Sequence, residues 1–223
     1  MYTLIDKSLS IFGTFEISEE KMKKIQDFFP EVQLQLGRDR NNNMIGRLQD
    51  PQGKAKFGIN LSGTRIDYFL GVDKNNDDRF DMLKMIDALS VILDTIKDYG
   101  IIRLAYNSRA FIEDEDDAKR AKLGSMIELL NTDSKMIETS IRLNYRENVL
   151  NEEVNNIISI QDGVIRSIEN PDKPVKSLLM AADVNTVASN TQVRFDKVDF
   201  EQFFTAFIEF SKKSYEQLDA FLK

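Results

Sequence analysis

Apolar residues recur at two spacings along this chain, and the spacings divide it into helices and strands. The strongest helical signal lies at the C-terminal end. Phe200, Phe203, Phe204, Phe207, Ile208, Tyr215, Leu218, Phe221 and Leu222 share one face of a helix over 199–222. Such a stripe is unstable in water alone and has to lie on a sheet or on another helix. Asp199 is placed as its N-cap, Gln202 completes a capping box, and Val198 with Phe203 forms a hydrophobic staple. A second stripe, Phe80, Leu83, Ile86, Leu89, Leu93 and Ile96, predicts a helix capped by Asp77 or Asp78. That helix ends near Tyr99, with Gly100 as its C′ residue. Shorter helices are predicted after Ser18, with Pro30 as the stop, and over 118–130.

Between the helices the period drops to two. Residues 8–17 alternate through Leu9, Ile11, Gly13, Phe15 and Ile17. Four short strands follow at 32–36, 44–48, 55–61 and 66–72, separated by polar turns. Residues 101–112 form the next strand, then 137–145, 154–160, 164–168 and 175–184, with a last short one through Val193 and Phe195. Asp162-Gly163 reads as the hairpin turn between 154–160 and 164–168. Sequential strands joined by short turns imply antiparallel meanders. The expected fold is α+β: antiparallel sheet from two meander-plus-long-helix halves, 1–100 and 101–223, with the long helices on one face. One compact domain with a pseudo-twofold repeat, its halves sharing one sheet, is the simplest arrangement.

Composition narrows the chemistry. The chain has 223 residues, no cysteine and no histidine. Disulfides, thiolate catalysis, Ser-His-Asp triads and most zinc or non-haem iron sites are thereby excluded. No apolar run is long enough to span a bilayer and the N-terminus lacks signal-peptide character, so the expected location is the cytoplasm, with no membrane partner. A net charge of −7 argues against nucleic acid as a partner.

Several polar clusters stand out along the chain. Asp73-Lys74-Asn75-Asn76-Asp77 opens like a calcium loop, but Asp78 stands where a glycine is needed and Lys84 where a bidentate Glu is needed. No metal or other cofactor is expected. Glu113-Asp114-Glu115-Asp116-Asp117 reads as a solvated loop leading into a helix. Arg38, Arg40, Arg47, Lys54 and Lys56 fall on turns of the first meander. Two strands each put basic and amide groups beside aromatics: Arg103, Tyr106, Asn107 and Arg109 on one, Arg142, Asn144, Tyr145 and Arg146 on the other. Facing each other, they would form a polar groove; the plainer alternative is cross-strand pairing on an exposed sheet face. Asp183 is an acid in an otherwise apolar strand, capping a turn or pairing with one of those arginines. Arg103, Tyr106, Asn107, Arg142, Tyr145 and Asp183 are the candidate ligand-binding residues.

The layout resembles an uncharacterised, sporadically distributed family of prokaryotic α+β proteins. The resemblance rests on Gly100-Ile101-Ile102-Arg103-Leu104-Ala105-Tyr106-Asn107, on the acid-bearing strand 179–183, and on the Phe-rich 195–204. Ala105 stands where that family tends to have a second Arg, and no residue separates Tyr106 from Asn107. The resemblance implies the fold and no particular activity. The first functional expectation is a non-enzymatic protein-binding or adaptor protein of prokaryotic or phage origin. It would hold another protein through its open sheet face or an edge strand, or self-associate as a homodimer. The alternative is a binder of, or enzyme acting on, an anionic or phosphorylated small molecule in an Arg/Tyr-lined groove.

Overall fold

The stretch that alternates first in the chain becomes the strand on which the sheet is centred. The computed structural model describes residues 1–52, 56–72, 78–114, 117–125, 140–166 and 172–223. They form β1 (Thr3–Phe15), α1 (Glu19–Asp27), β2 (Gln33–Arg38), β3 (Met44–Gln49), β4 (Phe57–Ser62), β5 (Arg65–Gly71) and α2 (Asp78–Ile96). They continue as β6 (Tyr99–Glu113), α3 (Ala118–Ser125), β7 (Ser140–Val149), β8 (Glu152–Ile165), β9 (Val175–Thr186) and α4 (Phe200–Leu222). The strands make one nine-stranded antiparallel sheet in the order β2-β3-β4-β5-β1-β6-β9-β8-β7. β1 and β6 lie side by side, and each stretch of chain lays its remaining strands outward from them. The fold is α+β, and residues on both sides of position 100 share one sheet.

The helices cover one face. α1 touches α2, α2 touches α4, and α3 touches α4. Beneath them the period-two alternation delivers Leu9, Ile11, Tyr68, Leu104, Tyr106 and Val184 into one core with Leu89, Leu93, Phe204 and Phe207. A second cluster lies under α3 and the C-terminal half of α4, around Ile112, Leu123, Met180, Tyr215 and Leu222. Ser18 caps α1 by accepting from the Lys21 amide, and Glu19–Lys23 and Glu20–Lys24 pair one turn apart.

Two polar contacts tie helices to central strands. Lys7 of β1 points into the helix-facing side and pairs with Asp81 of α2 at 2.8 Å, both buried. On β6, Ser108 Oγ lies 2.9 Å from Ser211 Oγ and 3.0 Å from the Tyr215 hydroxyl, which donates to the Ser108 carbonyl at 2.9 Å.

Several expectations are corrected. α2 ends at Ile96, with Lys97 in the left-handed region (φ 67) donating its amide to Leu93 O. Gly100 is a residue of β6 and not a helix cap. It is opposite Thr14 and next to Gly13, where a Cβ would lie 2.0 Å from the Gly100 carbonyl oxygen. Asp162-Gly163 is not a turn. Both residues continue β8, and Gly163 makes room for the Leu179 side chain, which a Cβ would meet at 2.4 Å. The hairpin is at Leu150 and Asn151 (φ 50 and 70), the two-residue loop between the Val149–Glu152 pair. A 3-10 turn, Lys197–Asp199, precedes α4, and the capping box is formed by Asp196 with Asp199. Val198 is 76% exposed, so it staples nothing. The strand expected through Val193 and Phe195 is reduced to a single bridge between Ile101 and Phe195. The loop at 73–77, Lys54, the acidic positions 115–116, and the expected segments at 126–130, 137–139 and 167–168 lie outside the described residues.

Two outcomes follow from these contacts. Gly13→Ala should destabilise the protein by about 3 kcal/mol or more in urea unfolding, because backbone has to move on both central strands. Burial pushes the Tyr215 phenol up from 10.0 to about 12. The folded state therefore holds this proton more tightly than the unfolded chain does. Its contribution is complete below pH 10 and is lost as pH rises towards about 12. Alkaline unfolding followed by tyrosinate absorbance should show that decline. Tyr215→Phe should make it shallower while costing about 1–3 kcal/mol at neutral pH for the hydrogen bonds lost at Ser108.

Candidate functional site

The sheet face away from the helices is polar, and antiparallel register decides which of its residues meet. Directly paired residues point to the same side. One row across β5, β1 and β6 is Arg65, Phe12 and Arg103. The next contains Asp67, Ser10, Ala105, Asn185, Asn155 and Arg146, and a third Phe69, Ser8, Asn107, Asp183, Ile157 and Asn144. A fourth runs through Asp6, Arg109, Ala181, Ser159 and Arg142.

The centre of this face is built around Phe12. The Arg65 guanidinium carbon lies 4.7 Å from its ring centroid and that of Arg103 lies 4.8 Å away. These are cation–π distances, with Phe12 and Arg103 half-buried and Arg65 exposed. Arg65 Nε donates to Asp67 Oδ1 at 2.7 Å, and Ser10 Oγ donates to the same oxygen at 2.5 Å. Asp183 accepts from Asn185 Nδ2 at 2.7 Å, and Asn185 Oδ1 accepts from Asn155 Nδ2 at 3.1 Å. Arg109 and Asp6 form an ion pair further along. Arg103 differs from its neighbours: among the described residues it has no ion-pair partner, and its enclosed Nε has no acceptor. Burial holds its guanidinium below the ordinary value. Asp183 opposes that shift through its charge and Arg65 adds to it.

The structure divides the residues singled out from the sequence. Arg103, Asn107, Asp183 and Arg142 share the open face. Asp183 lies within β9, opposite Asn107, and caps no turn. Tyr106 does not join them: it is in register with Leu9 and Val184 and is buried under the helices. Tyr145 is also on the helix side, opposite Asn156, whose amide reaches Ser214 of α4 at 3.5 Å. Arg142 is on β7, three strands from β6 and in a different row from Arg103. At about 4.8 Å per strand that is roughly 14 Å, so it does not converge with Arg103. The groove expected from Arg103, Arg142, Tyr145 and Asp183 together is not formed. The residues that do gather, Arg65 with Arg103 on the Phe12 ring and Asp67 with Ser10 beside Arg65, are not among the candidates read from the sequence. Their period-two spacing marked the face, but nothing local revealed which strands would be neighbours. Arg47 is likewise not on a turn; it lies on β3 and donates to Asn60 Oδ1 at 3.1 Å.

The outer edge of β7 is the second feature. β7 has ten residues. Its helix-side residues Leu143 and Tyr145 are 41% and 50% exposed, because α4 lies over β6, β9 and β8. Arg142, Asn144 and Arg146 alternate with them on the open side, and Arg146 pairs with Glu153 at 2.9 Å.

Among the described residues, no three acidic side chains are grouped to hold a metal ion, and no helix is long and apolar enough to cross a membrane. Asp67→Asn removes the carboxylate that Arg65 and Ser10 share. It should cost about 1–2 kcal/mol in urea unfolding, less than a fully buried pair because Arg65 is half exposed. No protein-family model matches the chain, and no curated protein matches its sequence.

Proposed function

We propose that this chain is a non-enzymatic protein-binding module of a prokaryotic or phage cytoplasm, and that it takes an extended segment of another protein along the outer edge of β7, which among the described residues pairs only with β8. The observation that carries this reading is the exposed pair Leu143 and Tyr145 on a ten-residue edge strand. Edge strands present unpaired backbone groups, and folded proteins usually blunt them. Here the edge instead offers two large apolar side chains next to that backbone. A strand added to β7 would complete the ladder and lay its own apolar residues beside Leu143 and Tyr145. Its alternate residues would fall beside Arg142 and Arg146, which suits acidic side chains. The other outer strand, β2, is the lesser candidate: it carries Gln33, Gln35 and Gly37 on the open side. The lack of histidine and cysteine supports a binding role over a catalytic one.

The double variant Leu143→Glu, Tyr145→Glu tests this. Both positions are exposed, so the fold should persist with a stability change within about 0.5 kcal/mol. A stoichiometric partner purified from the native host with the wild-type chain should bind the variant at least about tenfold more weakly. The amides of β7 should gain hydrogen-exchange protection in the complex. A dimer seen by light scattering and split by the same variant would make the partner a second copy of this chain. Undiminished binding by the variant, with β7 unprotected, would end this reading.

A further inference from the structure

A second site lies on the open face, away from the β7 edge. We infer that Arg103, with Arg65 and Phe12, forms a binding site for a small oxyanion-bearing ligand, carboxylate or phosphate. The inference is independent of the β7 reading.

Three observations carry it. First, Arg103 stands on a central strand of the sheet, yet among the described residues no carboxylate comes within ion-pairing distance of it. Enclosed donors in folded proteins are nearly always satisfied, and an enclosed cationic donor without an acceptor is expensive. Second, a guanidinium against an aromatic ring uses its face for the ring and keeps its edge for hydrogen bonds. With its guanidinium carbon 4.8 Å from the Phe12 centroid, Arg103 is placed over the ring before any ligand arrives, which reduces the side-chain entropy lost on binding. Third, Arg65 flanks the same ring at 4.7 Å, with its Nε committed to Asp67 and one Nη 3.4 Å from Ser10 Oγ. Two like charges on one ring disfavour each other, and an anion taken at the edge of Arg103 reverses that repulsion.

The same surroundings limit the ligand's size. Asp67 lies on the β5 side and Asp183 on the β9 side, each already accepting hydrogen bonds from its neighbours. They flank the half-buried Arg103 and would repel an extended polyanion. A single carboxylate or phosphate group fits these charges and a nucleic-acid backbone does not. A planar guanidinium edge takes two oxygens of either group at once.

The test is a titration of the full chain with sodium phosphate and, separately, sodium acetate, at constant ionic strength set by chloride. The readout is the arginine Nε–H resonance of Arg103. The wild type should show a saturable shift with at least one of the two anions. Arg103→Gln should abolish that resonance and weaken binding, followed by calorimetry, about tenfold or more. Phe12→Leu keeps both arginines but removes the ring, and should weaken binding severalfold. Lys213→Gln, which removes one charge from the far side of the molecule, should change nothing. Saturation by phosphate alone identifies a phosphoryl ligand, and by acetate a carboxylate. A linear, unsaturable shift with both anions would overturn the assignment, as would equal affinity in Arg103→Gln. If Arg103→Gln fails to fold by circular dichroism, Phe12→Leu decides: undiminished binding there overturns the site as described.

Discussion

Everything in this molecule is referred to the antiparallel pairing of β1 with β6. The pair extends from Thr3 against Phe111 to Phe15 against Tyr99. At its far end the backbones come together at Gly13 and Gly100, closer than any Cβ allows. Two register shifts, between Leu4 and Asp6 and between Phe12 and Gly13, re-aim the side chains along it. Because the other strands are laid outward from this pair, its register sets the register of the sheet. A one-residue slip would turn Leu9 and Ile11 to solvent and bring Ser10 and Phe12 under the helices.

The two faces of that pair follow different physics. On the helix side, apolar burial dominates, and two polar contacts are embedded in it: Lys7 with Asp81, and Ser108 with Ser211 and Tyr215. A buried ion pair adds little net stability against an apolar substitute, but breaking one leaves a charge in the core. Such contacts therefore select one docking of α2 on β1 and one docking of α4 on β6 over near alternatives of similar apolar burial. On the open side there is no apolar layer to cover, and cross-strand charge and amide pairs hold the surface. Most charges there are matched: Arg65 with Asp67, Arg109 with Asp6, Arg146 with Glu153. Arg103 breaks this pattern at the centre of the sheet. On the helix side, Leu143 and Tyr145 of β7 stay uncovered at the rim. Functional sites are where such local inconsistencies are expected to survive.

Period and punctuation were enough to read most of the elements. The C-terminal stripe becomes α4 with Phe200, Phe203, Phe204 and Phe207 buried as the 3.6-residue repeat requires. The alternation of residues 8–17 becomes part of β1, and Ser18 caps α1. The α+β class, the antiparallel strands and the helix layer on one face all follow from spacing, because spacing is a property of a single segment.

Only the tertiary structure decided which segments are neighbours, and the site depends on that. Gly100 looked like a helix cap until the approach of Gly13 required it in β6, and Asp162-Gly163 looked like a turn until Leu179 needed the space above Gly163. In both cases a long-range contact outweighed a local preference of about 1 kcal/mol. Tyr106 and Asn107 are adjacent in sequence but belong to opposite faces, whereas Arg65, Phe12 and Arg103 are far apart in sequence and share one ring. The sequence by itself determined what each segment is and which of its sides is apolar. Strand order and register, which depend on the summed packing of many segments, decided which side chains meet.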